Sequence, residues 1–584
     1  MKKLIPTKTS NYADLIKDNS FYVDKTNYIE LLENSRDKYI FFLRPRRFGK
    51  SLLLSMLEFY YGVQYKDQFD KLFGEYYIGQ PENVTVLRNS YYILKFNFSG
   101  IKTDDSELIE KEFNAEVYTS ILKFMNTHKV GTRKDKEYIK TLNSGTELLR
   151  NFFTIFSDAK PLGKIYILID EYDHFTNDLF SFNPDHFKDI VSRNGWVRKF
   201  YEVIKQYAGE GIVDRFFGTG VTPVTLDSMT SGFNIAYNIT LDLMFHNLAG
   251  FTELELKELI IGTIYEEGKF DLDKLLTDMR AWFNGSRFSK KSKEKLYNPQ
   301  LVISFLTSFQ STLEYPQEVT DFNVTSDWTK IRNILTKLPK EDRDSILNDV
   351  YIKEEIKSGL SNQFNLEMPY TITDAISILF YNGLLTIKEE KYGIVYFVVP
   401  NYVIKTIYWE YLRALLVQEH QIKFNIREIG DIFEQMASAG KIDLLIEEVS
   451  KIMEPLINYD YVNFSESNLK MIVISILSLN MMFIIDSERE VSSGRVDLLL
   501  TKYDPYNSKY QFLLEFKYIK MKDEKLSITL KDGTIETKYE KTKREGIAQL
   551  KKYMESEYIK SLENLKSYLI IFRDKRKGEV ISVK

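Results

Sequence analysis

A chain of 584 residues, 44% hydrophobic and 28% charged with a formal net charge of −4, has the make-up of a soluble globular protein too long for one core, and three or four domains are expected. It holds no cysteine, which excludes disulfides, thiolate zinc sites and cysteine nucleophiles, and its five histidines show no H-x3-H or H-E-x-x-H spacing. It has no apolar leader and no run of 18 uncharged apolar residues, so the expectation is a cytoplasmic protein that does not span a membrane.

The first predicted elements are a lead-in, Phe21-Tyr-Val-Asp-Lys25, and a helix over Asn27–Glu33. An apolar strand, Tyr39–Leu43, then runs into a basic turn and a helix patterned by Leu52, Leu53, Leu54, Met56 and Leu57. Gly49-Lys50-Ser51 at that junction completes the phosphate-loop pattern G-x-x-x-x-G-K-[ST], with Arg44 in place of the first glycine. The chemistry explains the residue types. Backbone N–H groups of the turn and the helix start cradle phosphate oxygens. Gly49 permits close approach, Lys50 reaches the β- and γ-phosphates, and the Ser51 hydroxyl ligates Mg2+. The expected ATP cradle is therefore Arg44, Pro45, Arg46, Arg47, Phe48, Gly49, Lys50, Ser51 and Leu52. Asp24 and Lys25 are placed either to approach the nucleotide or to pair at the surface.

Tyr91–Phe98 reads as a second strand and Ser106–Met125 as an amphipathic helix covering the sheet. Ile165-Tyr-Ile-Leu-Ile-Asp-Glu-Tyr-Asp173 is a continuous apolar run, as expected of a strand buried on both faces, and it ends in carboxylates. The C-terminal edge of such a strand is where open α/β sheets bind ligands. Asp170 is expected to hold Mg2+ through water, and Glu171 to activate the attacking water. Asn177–Asp189 reads as a loop, and Trp196–Tyr207 as a helix bearing Arg198 and Lys205. Arg198 has the chemistry of an arginine finger or of a structural cation. Arg215–Pro223 looks like a further sheet strand, where Thr219 and Thr222 each suit a γ-phosphate sensor or a helix cap.

At this point the chain resembles the AAA-like ATPases fused to a C-terminal nuclease-like domain. The resemblance is carried by Tyr22-Val-Asp-Lys-Thr26, the Arg-Pro-Arg-Arg-Phe-Gly-Lys-Ser turn, Ile169-Asp-Glu-Tyr-Asp173 and Thr219-Gly220. It continues through Gly250-Phe-Thr-Glu253, Trp282-Phe-Asn-Gly-Ser-Arg-Phe288 and Tyr297-Asn-Pro299. An arginine at the first Walker position is usual in that family. The resemblance implies an ATPase core over 1–250 and a helical lid over 251–310, whose first helix should be capped by Thr252 with Glu255 three residues on.

Residues 370–413 read as helix Thr373–Phe380, strand Leu384–Ile387, a charged turn Lys388–Lys391, strand Ile394–Val399 and a further helix. That is a winged-helix-like order within a region spanning 311–455. The helix is apolar, which favours protein packing over DNA contact; residues 414–460 read as a helical connector.

The last domain, 456–584, carries a second chemistry. Gly494–Leu500 and Tyr510–Tyr518 read as strands flanking a turn over Tyr503–Ser508. Period-two alternation puts Gln511, Leu513, Glu515 and Lys517 on one face, and a hairpin brings Asp497 beside them. This resembles the PD-(D/E)XK nuclease superfamily. The resemblance implies that Asp497 and Glu515 bind Mg2+, with Mn2+ as an alternative, and that Lys517 orients the nucleophilic water or stabilises the transition state. Gln549 and Tyr553, four apart on a helix, match that superfamily's Q-x-x-x-Y element. Glu466 stands where its first-helix acid does, with Glu488 and Glu490 as competitors. Residues 501–584 hold 20 Lys/Arg against 13 Asp/Glu, a basic module that fits contact with a polyanion.

The expected protein is thus an α/β multidomain ATPase–nuclease: a P-loop AAA-like α/β domain, a helical lid, a winged-helix-like domain and a C-terminal α/β PD-(D/E)XK nuclease-like domain. Its expected cofactors are ATP and Mg2+; its expected partner is nucleic acid, DNA ahead of RNA, with no membrane, and a homo-oligomer is allowed. By analogy alone the setting is defence or mobile-element biology. The alternative is a nucleotide-switched regulator whose nuclease fold binds DNA or protein without cleaving it.

Overall fold

The computed structural model describes residues 2–102, 106–177, 190, 195–224, 232–317, 328–364, 369–420, 422, 424–459, 465–480, 482–492, 494–503, 508–529, 535–573 and 578–584. Most of the loop expected over Asn177–Asp189, the inner residues of the turn over Tyr503–Ser508, and the side chains of Glu488 and Glu490 lie outside the described residues. The chain divides into two units. One comprises Met1–Ser311, Asn333–Ile346 and Glu355–Tyr402, and the other Thr312–Arg332, Leu347–Glu354 and Val403–Lys584.

The first unit is built on a parallel sheet of β1 (Tyr39–Leu43), β2 (Tyr91–Asn97), β3 (Lys164–Asp170), β4 (Val213–Gly220) and β5 (Tyr237–Asn238), in the order β2-β3-β4-β1-β5. Both faces are covered, which is why Tyr39–Leu43 of β1 and Ile165–Ile169 of β3 run apolar rather than alternating. On one face Phe42, Tyr166, Leu168 and Phe217 pack with Leu54, Leu57, Tyr60 and Tyr61 of the helix Lys50–Tyr61. On the other, Phe216 meets Tyr201 of the helix Trp196–Gly209, and Phe96 meets Phe200. The register Leu43↔Gly220 and Asn97↔Asp170 brings the C-terminal strand ends level, so the phosphate loop and the Asp170 carboxylate share one sheet edge.

Thr252 and Glu255 form the expected reciprocal cap at the start of the helix Glu253–Thr263: Glu255 N donates to Thr252 Oγ1 at 3.2 Å, and Thr252 N to Glu255 Oε2 at 2.8 Å. Later in this unit, helix Ile372–Tyr381 is buried along Ala375–Tyr381 beside a sheet of β6 (Ile356–Ser358), β8 (Ile394–Val398) and β7 (Thr386–Lys391). The turn expected at Lys388–Lys391 is instead strand. Tyr392 (φ 53°) and Gly393 (φ 79°) make the turn, two left-handed residues of the kind that closes a tight hairpin.

The second unit contains the helices Ile426–Ala439, Asp443–Tyr459 and Glu466–Leu477 and a mixed sheet of β9 (Phe483–Val491), β10 (Gly494–Lys502), β11 (Gln511–Ile519), β14 (Leu565–Arg573) and β15 (Glu579–Val583), ordered β15-β14-β11-β10-β9. A small hairpin, β12 (Ser527–Thr529) and β13 (Ile535–Thr537), precedes the helix Lys538–Met554. Leu550 and Tyr553 of that helix pack on Val496, Leu499, Leu513, Leu569 and Ile571 of the sheet.

Candidate functional sites

Between β1 and the helix Lys50–Tyr61, Gly49 takes φ +90°, which favours glycine. The place where a Cβ would stand has no atom within 4 Å. The backbone beside Gly49 is therefore open to close approach by another group. Lys50 is buried, and its Nζ donates to the Arg44 and Pro45 carbonyls, each at 3.0 Å. Burial lowers the Lys50 pKa, while Asp170, Glu171 and Asp173 work against that shift. The ammonium is thus desolvated, held by its own loop and within electrostatic reach of carboxylates. Ser51 follows in the first helical turn. A cavity of about 380 Å³ opens from the loop; its walls include Thr7, Tyr22, Ser51, Glu171, Gly250 and Ile303. Its volume falls within the range of small-ligand sites.

At the end of β3, Asp170 Oδ1 accepts from the Thr219 hydroxyl at 2.8 Å. Glu171 then takes φ +51°, a conformation few non-glycine residues adopt. Asp173, a neighbour to which sequence reasoning gave no role, holds this turn in place. Buried, it accepts from Val221 N at 3.0 Å, from Thr222 N at 2.6 Å and from the Thr222 hydroxyl at 3.2 Å. Thr219 therefore faces the carboxylate edge, and Thr222 is engaged by Asp173.

Arg44 does not turn its side chain into the cradle. Its guanidinium is buried, donating to the carbonyls of Leu43, Thr240, Phe245 and His246 at 2.8–3.1 Å, between the rings of Phe42 and Phe288. Carbonyls take the Nη1 and Nη2 donors and ring faces flank the guanidinium plane, while Nε has no hydrogen-bond partner among the described residues. Its part in the loop is the carbonyl that Lys50 holds. Lys25 is not at the surface: buried, it pairs with Glu255 at 2.6 Å, and it lines the cavity. Arg198 pairs within its own helix, Nε to Glu202 at 3.1 Å.

The second site lies on β10 and β11. The antiparallel register Leu498↔Leu514 brings Asp497 level with Glu515, as the period-two pattern requires. Asp497 Oδ2 accepts from Phe516 N at 2.9 Å. Lys517 Nζ donates to Glu515 Oε1 at 2.8 Å and to Glu466 Oε1 at 3.3 Å. Glu515 is fully buried, and its Oε2 has no hydrogen-bond partner among the described residues. Burial, and then the nearby Asp497, push its carboxyl up to about 8 despite the lysine. Burial alone would lower Lys517, but Glu515 and Glu466 raise it. Two adjoining carboxylates, one with an unsatisfied oxygen, are a donor set that a hard divalent cation fits. Gln549 Nε2 donates to the Tyr553 hydroxyl at 2.5 Å, which in turn donates to the Arg495 carbonyl, and Tyr553 lies within electrostatic reach of Glu515 and Asp497.

Residues 6–230 match the family described as Predicted AAA-ATPase, and residues 464–580 match the PD-(D/E)XK nuclease superfamily. A protein of Azotobacter chroococcum mcd 1, described as an uncharacterized protein in the vnfD 5' region, is 26% identical over 310 residues, which is 51% of this chain and 51% of the relative. The match thus spans about half the length of that curated relative.

Proposed function

Because the chain joins an AAA-ATPase-like domain to a C-terminal domain of the PD-(D/E)XK nuclease superfamily, we propose that it hydrolyses ATP and cleaves nucleic acid at a separate metal-dependent site, with ATP gating the cleavage. In the first domain Lys50 meets the β- and γ-phosphates, Ser51 and Asp170 hold Mg2+, Glu171 orients the attacking water, and Thr219 fixes Asp170. In the second, Asp497 and Glu515 hold Mg2+ or Mn2+, and Lys517 orients the nucleophilic water and meets charge developing on the phosphate. Bound at either site, the divalent ion supplies Lewis acidity and neutralises phosphate charge. DNA is the favoured substrate, recruited by the lysine-rich C-terminal surface. The buried helix Ile372–Tyr381 fits a winged-helix-like module that packs on protein rather than reading bases.

The observation that carries the reading is Glu515: fully buried beside Asp497, its carboxyl is raised to about 8 and one oxygen has no partner among the described residues, a pairing that a bound divalent ion would relieve. A second reading, a nucleotide-switched regulator whose nuclease fold binds without cutting, is favoured by two facts. Among the described residues no three acidic or histidine side chains stand at metal-binding spacing, and Lys517 bridges Glu515 and Glu466. Incubating the purified chain with single- and double-stranded DNA and RNA, with and without ATP and Mg2+ or Mn2+, separates the two. Metal-dependent cleavage that responds to ATP supports the first, and binding without cleavage of any substrate supports the second.

A further inference from the structure

His174 stands three residues after Glu171, in a turn closed by its own N–H donating to the Glu171 carbonyl at 3.1 Å. That turn fixes the backbone of Glu171 and leaves its side chain to be directed. The His174 Nδ1 lies 3.5 Å from Glu171 Oε2 and 3.4 Å from Nη2 of Arg46, on the phosphate loop. Arg46 and Glu171 both line the cavity, so the imidazole joins the loop to the carboxylate that faces the ligand. One ring nitrogen cannot serve both neighbours in the same way. Bearing a proton, Nδ1 donates to Glu171; carrying a lone pair, it accepts from Arg46. The two partners therefore compete for one atom.

We propose that His174 is a positioning residue for ATP hydrolysis, directing the Glu171 carboxylate once phosphate has drawn Arg46 off the imidazole. The proposal rests on the reading of this cavity as an ATPase site. A guanidinium makes two parallel, charge-paired bonds to an ionised phosphate but only one to a neutral ring nitrogen, so nucleotide in the loop wins Arg46 from the ring. Nδ1 is then free to carry its proton toward Glu171, and the carboxylate is aimed only when the loop is filled. Arg46 senses the phosphate, His174 transmits, and Glu171 acts.

The test is steady-state ATP hydrolysis by the full chain with Mg2+, comparing wild type, His174→Ala, His174→Asn and Lys50→Ala, with thermal unfolding of each. Misorienting a catalytic group by about an ångström lowers turnover roughly 10- to 100-fold, and His174→Ala should lower kcat by that factor. Its KM for ATP should stay within about twofold, because binding is not what the ring supports. His174→Asn places an amide near the position of Nδ1 and should recover much of the loss, at a Tm equal to that of the wild type. Wild-type kcat in His174→Ala, with hydrolysis still dependent on Lys50, overturns the positioning role and leaves the ATPase reading standing. So does a loss that Asn does not recover, or one that tracks a fallen Tm. Undiminished hydrolysis by Lys50→Ala, or none by the wild type, overturns the ATPase reading and this role with it.

Discussion

The Arg44 guanidinium lies 4.3 Å from the centroid of the Phe288 ring, fastening the first position of the phosphate loop to the segment that follows Trp282. Phe288 also meets Phe48 of the same loop edge-on at 5.4 Å, and Phe380 of the buried helix at 6.1 Å. An arginine there is a joint, not a defective glycine. Arg44→Gly, which restores the common Walker residue, should therefore destabilise the first unit. It strips the donor from the Thr240, Phe245 and His246 carbonyls, a loss on the order of 3 kcal/mol. Arg44→Lys should not rescue it, since an ammonium lacks the planar fork. Thermal unfolding of the three proteins checks this; an unchanged Tm in Arg44→Gly would contradict it.

Lys50→Ala should lower ATP hydrolysis at least roughly 100-fold and weaken binding, because it removes the buried point charge that meets phosphate. Turnover at the wild-type rate would remove the phosphate-loop assignment.

Glu171→Gln should keep ATP affinity while blocking turnover, so that ATP stays bound and uncleaved. Nucleotide retained after gel filtration is the readout. Loss of affinity instead would make Glu171 a binding or structural residue.

The Glu515 carboxyl gives a pH dependence whose sign is fixed. Its folded pKa of about 8 exceeds the ordinary carboxylate value of 4.5, so the folded state favours the protonated form. That contribution to stability is fully present below 4.5 and is lost as pH rises through about 8. Glu515→Gln mimics the neutral form at every pH. In metal-free buffer the Tm of the variant should therefore gain on that of the wild type between pH 5 and pH 8. A gap that stays constant over this range would show that the carboxylate is not strained by its site.

Much of this architecture is legible in the sequence, for a local reason. Tyr39–Leu43 and Ile165–Ile169 are apolar on both faces, and period-two alternation alone puts Glu515 and Lys517 side by side. The capping box of Thr252 and Glu255 is likewise a three-residue pattern. What the sequence hides is partnership across distance. Nothing near Arg44 announces that its acceptors lie about 200 residues on, and nothing near Lys25 announces Glu255. Charge density also misleads: Lys388–Lys391 reads as a turn, but it is an exposed strand end, and Gly393 was the better cue. The four-residue spacing of Gln549 and Tyr553 is a local pattern as well, and the bond between them follows from the helix face they share.

The central claim is that one chain holds an ATP site and a separate metal-dependent nuclease site. Metal-dependent cleavage of DNA by wild type, Asp497→Ala and Lys50→Ala, measured side by side with and without ATP, tests it most directly. Asp497→Ala removes an oxygen ligand of the divalent ion, so cleavage should fall at least roughly 100-fold while ATP hydrolysis and DNA binding persist. Lys50→Ala should retain the nuclease site but lose the response of cleavage to ATP. Equal cleavage by wild type and Asp497→Ala would contradict the account.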